Sequence, residues 1–222
     1  SGTLQVDAGG RIDASYAGYR GGSIGPSQDT IGYQGENETG IQSRSENANG
    51  AGGGSGDYRD AGGGGGHATA GERGYLNGDN GRGQSGGYGG NPVGTLDLTR
   101  MFFGGGGGGG NYHPNNPGCS YGHPGGGIIF AMARQVNVAG EIDANGENAA
   151  MSFYYCRSGG AGAGGSIYLK VESASLGSNY IEAKGGVSGT PTGGPDAKGG
   201  SGSDGRIRIE YCNSIPSGST LP

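Results

Sequence analysis

Apolar residues recur at every second position in a few short stretches of this chain, and those stretches resemble one another. Residues 126–146 read GGIIFAMARQVNVAGEIDANG, and residues 165–185 read GSIYLKVESASLGSNYIEAKG. The two align without gaps at an offset of 39. Ile128 then meets Ile167, Phe130 meets Leu169, Met132 meets Val171 and Ile142 meets Ile181. A third start, GRIRIEYC, follows at Gly205, and the chain opens on a shorter version, GTLQVDAGGRIDAS. The pentapeptide GTLDL at 94–98 repeats the opening GTLQV. A period of two is the signature of a half-buried strand. It predicts β-units near 2–14, 94–103, 126–146, 165–185 and 205–212. Ile128, Phe130 and Met132 are expected on one face. The Ile-[Asp/Glu]-Ala triplets at 12–14, 142–144 and 181–183 read as short second strands. No window shows helical periodicity, so essentially no helix is expected.

Between these units lie glycine-rich excursions, at 20–93, 104–127 and 185–205. Residues 62–66 and 104–110 are uninterrupted glycine. Glycine loses more backbone freedom on folding than any other residue and has no side chain to bury. An ordered glycine run must therefore use its own backbone as the packing surface, with neighbours satisfying its N–H and C=O groups. The fold expected is all-β and forms a single domain: a glycine-rich β-solenoid, or a sandwich, with layers of polyglycine-II type.

Composition narrows the function classes. Sixty glycines and nine prolines among 222 residues leave no room for a large apolar core, and no G-X-Y period exists to make collagen. The net charge of −5, without a basic cluster, argues against nucleic acid. No stretch approaches the length of a membrane-spanning helix. The chain begins at Ser1, so a mature product or a fragment of something longer is expected. Low lysine with abundant Gly, Ser, Asn and Tyr reads as extracellular or cell-surface.

Strands of the GGSIYL type, the Ile-[Asp/Glu]-Ala triplets and the pure glycine runs together resemble the glycine-rich repeat modules of large bacterial surface proteins. The runs at 62–66 and 104–110 also resemble the polyglycine-II sandwiches of phage tail-fibre adhesins. The glycine-rich extracellular region of one receptor tyrosine kinase family is similar too. The likeness lies in composition and carries over no functional residue.

Candidate chemistry is sparse. Ser23 sits in a G-x-S-x-G match, but glycine saturates the chain and no helix follows, so a nucleophile elbow is not expected. His113, Cys119 and His123 have spacing compatible with zinc or copper, against a plainer reading as a proline-punctuated loop. Cys119 and Cys156 are the natural disulfide pair, leaving Cys212 free or bonded to another chain. Asp79 and Asp143 lie in turn-like sequences that lack the spaced carboxylates of a calcium loop. Asn37-Glu38-Thr39 is a glycosylation sequon. No metal and no other cofactor is expected, and no enzyme. Thirteen tyrosines against four phenylalanines and no tryptophan are read first as caps on the glycine layers. The leading expectation is a self-associating extracellular subunit, a fibre or surface layer, with Leu4 and Val6 at one assembly edge and Ile207 and Ile209 at the other. The alternative is an adhesin that presents Tyr33, Tyr58, Tyr75 and Tyr88 to a surface glycan or receptor.

Overall fold

The computed structural model describes residues 2–25, 31–45, 47–49, 51–54, 61–74, 86–111, 121–150, 158–189, 198–214 and 216–222. Among them there is no helix. The protein is all-β, with strands β1 (Thr3–Val6), β2 (Arg11–Asp13), β3 (Ile128–Val138), β4 (Glu141–Asp143), β5 (Ser166–Glu182), β6 (Arg206–Tyr211) and β7 (Ser217–Leu221). All of the pairs between these strands are parallel.

The chain makes four passes, and they lie side by side in sequence order. The first pass is β1 and β2, the second β3 and β4, the third the long β5, and the fourth β6 and β7. β5 spans both halves of its pass, so β3 and β4 pair with one of its edges and β6 and β7 with the other. Stacking in parallel register brings like residues together. Ile12 lies beside Ile142 and Ile142 beside Ile181, while Ile129 lies beside Ile167 and Ile167 beside Ile207. Both halves of a pass point side chains into one core, which holds Ile129, Ile167 and Leu169 together with Val136, Ile142, Leu176 and Ile181. Each such isoleucine or leucine contributes about 1.5–3 kcal/mol when fully buried.

Three sequence expectations need correction here. All along its pairing with β5, from Ile128 to Asn137, β3 is one residue away from the aligned register. Ile129, not Ile128, pairs with Ile167, and Ala131 pairs with Leu169. A one-residue slip exchanges the two faces of a strand. Phe130 and Met132 do share a face, but it is the outer one, and they are 53% and 64% exposed. The aligned pairing is restored at Ile142 with Ile181, because β5 carries one more residue between Ser175 and Ile181 than the second pass does between Asn137 and Ile142. Second, residues 94–103 form no strand. Thr99 donates from its N–H and hydroxyl to Asp97 Oδ1, and Leu98 takes a positive φ of 50°, so a local turn replaces the extended GTLDL. Third, a strand beyond the last expected β-unit at 205–212, β7, pairs with β5.

The glycine segments form a second ordered body, built on a three-residue repeat. N–H groups of Gly104 and Gly107 donate to the carbonyls of Gly126 and His123, at 2.8 and 2.9 Å. Those of Gly105 and Gly108 donate to Gly66 and Gly63, and those of Gly106 and Gly109 to Glu36 and Tyr33. On the acceptor side, the carbonyls of Gly104 and Gly107 receive Tyr19 and Gly22. Those of Gly105 and Gly108 receive Ala163 and Gly160, and that of Gly106 receives Gly52. Every third residue thus meets the same neighbour, and six segments surround the run. Residues 61–66 and 158–165 are surrounded in the same way. These three central segments are almost pure Gly and Ala because no side chain fits between them. A Cβ on Gly107 would lie 2.0 Å from the Gly160 carbonyl oxygen. Segments farther out carry side chains on their outer sides, among them Tyr19, Arg20, Tyr33 and Tyr88.

Hydrogen-bond order also gives the segments direction. Residues 121–127, 158–165 and 199–205 run towards the strands that follow them, whereas 14–23, 144–150 and 183–189 run away from the strands that precede them. Residues 104–110 run parallel to 18–22 and antiparallel to 61–66. The strand stack therefore sits at one end of the glycine bundle.

Candidate functional site: the two edges of the strand stack

The stack has two outer edges. Among the described residues β1 and β2 pair only with β3 and β4, and β6 and β7 pair only with β5. Inward-facing side chains at these edges are half-buried: Leu4 and Ile12 on the first pass, Ile207 and Ile209 on the fourth. Val6 is buried in the core at 4% exposure. The isoleucine ladders thus end at both edges without an apolar cap among the described residues. β1 covers only residues 135–138 of β3. Beside Ile128–Ala133, on the side away from β5, no strand lies among the described residues.

The outer face of the stack carries a second ladder that sequence reading missed. Phe130, Tyr168 and Arg208 are neighbours across three strands. The Phe130 and Tyr168 ring centroids are 5.4 Å apart, and the Arg208 guanidinium carbon lies 5.1 Å from the Tyr168 centroid. One step further along, Lys170 pairs with Glu210 at 2.8 Å, and the Tyr168 hydroxyl donates to Glu210 at 2.5 Å. The hydrogen bond from Lys170 holds the Glu210 carboxyl below its ordinary range, and donation to Glu210 raises the Tyr168 hydroxyl. Arg206 and Arg208 reach over to the carbonyls of Val93 and Asp97, tying the 93–99 turn to β6.

The Ile-[Asp/Glu]-Ala triplets stack three carboxylates in line, Asp13 beside Asp143 and Asp143 beside Glu182. Arg11 answers the charge. Its Nε donates to Asp143 at 2.8 Å and lies 3.4 Å from Glu141, and its terminal nitrogen is 3.4 Å from Asp13. Asp143 is almost fully buried, and burial outweighs the Arg11 contact, so its carboxyl titrates above the ordinary value. Replacing Arg11 with methionine should cost about 2 kcal/mol by leaving that carboxylate unpaired, read as a lower urea midpoint. Adding Asp143→Asn should recover much of the loss. An unchanged midpoint for Arg11→Met would show that the contact does not matter.

At the junction of bundle and strands lies a buried polar knot, also absent from the sequence reading. His67 is fully buried. Its backbone N–H donates to Ser203 Oγ at 2.7 Å. Its Nε2 lies 3.1 Å from Ser166 Oγ and 3.2 Å from the Phe102 carbonyl, to which Ser166 also donates. Nδ1 of His67 and Nε of Arg206 are buried without a hydrogen-bond partner among the described residues. Burial, then the nearby Arg206 charge, lower the His67 pKa to about 4.

The remaining sequence candidates fall as follows. Tyr33 and Tyr88 have their backbones inside the glycine bundle, bonded to Gly109 and Gly53, and each ring is faced by an arginine. Arg44 lies 5.2 Å from the Tyr33 centroid and Arg73 lies 4.0 Å from that of Tyr88. Ser23 also uses its backbone there, accepting from Tyr33. Asn37 of the sequon is buried, and its Oδ1 accepts from the Thr39 N–H and hydroxyl, which closes a turn. His123 accepts from the Ala150 N–H and faces Glu147 at 3.4 Å. Among the described residues no group of three or more His, Cys, Asp or Glu is placed to hold a metal ion, and no helix is long and apolar enough to cross a membrane. Cys212 is a free, exposed thiol. Tyr58, Tyr75, Asp79, His113, Cys119 and Cys156 lie outside the described residues. Comparison with protein-family models, with curated proteins and with solved structures finds no match to this chain.

Proposed function

We propose that this protein is an extracellular structural subunit that self-associates through the edges of its strand stack. One observation carries the reading: parallel passes in register end at both edges with strand backbone that no further strand pairs among the described residues, and with half-buried aliphatic side chains. An open strand edge is a template for another chain, and a stack that repeats along one axis grows along that axis. A contact between two different edges is heterologous and gives a filament where the rotation does not close a ring. On this reading the structure is a short β-solenoid, and the glycine bundle is a polyglycine-II array that stiffens it. The three-residue repeat of the bundle's hydrogen bonds supports that assignment, since a polyproline-II-type helix has three residues per turn.

Negative-stain electron microscopy of the concentrated protein tests it. Filaments with a short axial repeat are expected, and Leu4→Lys, which places a charge at the first edge, is expected to abolish them. Discrete particles at every concentration would overturn the reading.

A second reading, a receptor-binding module, is favoured by the direction of the glycine segments. The segments ending at residues 25, 54, 74, 111, 150 and 189 all run away from the strand stack. Connections gathered on a rigid scaffold are a common setting for recognition. Glycan-array binding by a monodisperse protein would favour this reading over the first.

A further inference from the structure

We infer that β7 is a self-cap, occupying the position that the first pass of a second copy takes in the assembled protein. The inference rests on the self-association reading and specifies its interface.

The stack has two halves. Among the described residues the incoming half contains three strands: residues 128–133 of β3, the first half of β5, and β6. The outgoing half contains four: β1 with β2, the end of β3 with β4, the end of β5, and β7. A head-to-tail repeat needs equal numbers in both halves, because each strand adds the same rise along the stack. With β7 in place, a second copy cannot bring Ile128–Ala133 alongside β6. Its own β1 would land where β7 lies. With β7 withdrawn, each half holds three strands and the stack continues without a gap.

β7 is also irregularly paired. Its pairing with β5 has only three matched positions, Ser175 with Ser217, Ser178 with Ser219 and Glu182 with Leu221, with a register shift between each and the next. Gly218 takes a φ of +107°, and Gly177 and Asn179 opposite it also take positive φ. None of its side chains belongs to the apolar core. By contrast β1 and β2 bring Leu4, Val6 and Ile12 to that core.

Extending the internal register defines the contact. Leu4 already sits beside Val136, which sits beside Ala174, and Ile12 sits beside Ile142, which sits beside Ile181. In the assembly, Leu4 and Ile12 of a second copy lie beside Ala174 and Ile181. On the incoming half, Ile207 lies beside Ile129 of the second copy, extending the isoleucine ladder. Arg208 then stands between Tyr168 of its own chain and Phe130 of the second copy, a cation between two aromatic neighbours. This gives exposed Phe130 a second partner besides Tyr168. The stacked carboxylates continue as Glu182 beside Asp13 of the second copy, answered by Lys184 and Arg11 as within one chain.

The test compares the full chain with a chain ending at Asn213, both under reducing conditions so that Cys212 forms no bridge. Light scattering and electron microscopy read the concentration at which filaments form. Removal of β7 is expected to lower it by about tenfold or more, equivalent to at least ~1.4 kcal/mol of competition. A peptide of residues 213–222 added to the truncated chain should restore the higher threshold, and Leu4→Lys in the truncated chain should leave it monomeric. If truncation prevents folding, Ser219→Pro in the full chain weakens β7 in place and is expected to act in the same direction. Equal thresholds with and without β7 would overturn the self-cap while leaving self-association standing. Assembly of the truncated chain that is indifferent to Leu4→Lys would be unspecific aggregation and would also overturn it. Absence of filaments from every variant would sink both readings.

Discussion

Replacing Gly108 with alanine is expected to abolish folding, although it adds a single methyl group. The added Cβ would stand 1.8 Å from the Gly53 carbonyl oxygen and 2.4 Å from its carbon. Both are backbone atoms, held by hydrogen bonds from Gly63 to Gly53 and from Gly53 to Tyr88. Nothing in contact with the methyl is the flexible end of a side chain. Relief requires moving a whole segment, and that segment is bonded to further ones. Overpacking an ordinary core costs about 1–3 kcal/mol because side chains adjust. Here the cost should exceed about 4 kcal/mol, a large part of the 5–15 kcal/mol that holds a domain folded. Gly107→Ala should behave alike. Gly2→Ala is the control: a Cβ there meets nothing within 4 Å, so its urea midpoint should stay within about 0.5 kcal/mol of the parent. Soluble yield, the urea midpoint and far-ultraviolet circular dichroism read the difference. A folded Gly108→Ala protein with an unchanged midpoint would show that the bundle is looser than its hydrogen bonds indicate. Alanines already present make the same point from the other side. Ala61, Ala161 and Ala163 are fully buried in the central segments, so a methyl is accepted where the neighbouring segment leaves room for it.

Acidification should destabilise the protein through His67 well before most carboxylates protonate. In the folded chain this imidazole is neutral down to about pH 4, whereas its ordinary pKa is 6.5. Between those values the unfolded chain binds a proton that the folded chain excludes. Stability is therefore complete above about pH 6.5 and declines as the pH falls towards 4, by up to about 3 kcal/mol for a shift of this size. The physical cause is burial in a site with no anionic partner among the described residues. Among them, Nε2 faces the Phe102 carbonyl and Ser166, Nδ1 faces no acceptor, and Arg206 is the nearby charge. His67→Gln keeps a side-chain N–H that can reach the Phe102 carbonyl and does not titrate. It should cost about 1 kcal/mol at neutral pH and remove most of the slope between pH 6.5 and 4. Urea midpoints measured across that range for both proteins decide the matter. An equal slope in the variant would assign the acid sensitivity to other groups.

The strand alternation was legible in sequence because a period of two needs only nearest neighbours. Ile12, Ile142 and Ile181 announced their stacking through the repeated triplet, and the structure pairs them as aligned. The register of β3 was misread for a local reason. Two adjacent apolar residues, Ile128 and Ile129, fit either face, and only pairing with β5 selects one. The polar knot was illegible because His67, Phe102, Ser166, Ser203 and Arg206 are far apart in the chain and share no spacing. Arg11 could have been found, since it precedes the only Ile-[Asp/Glu]-Ala triplet with a basic neighbour on that side. β7 gave no signal, because Ser217–Leu221 lacks an apolar alternation and is held by backbone pairing and the Asn179–Ser219 hydrogen bonds.

By itself the sequence determined that this is an all-β chain of short repeated strands, and that its glycine runs, once ordered, must pack through backbone. Both follow from local facts: side-chain alternation along a strand, and the absence of a Cβ over consecutive residues. Tertiary structure alone decided which face of β3 is buried, which glycine segments are surrounded by six neighbours, where the stack ends, and that β7 closes part of one edge. Those outcomes depend on which segments meet. In a chain this rich in glycine, few side chains are available to encode the meeting in advance.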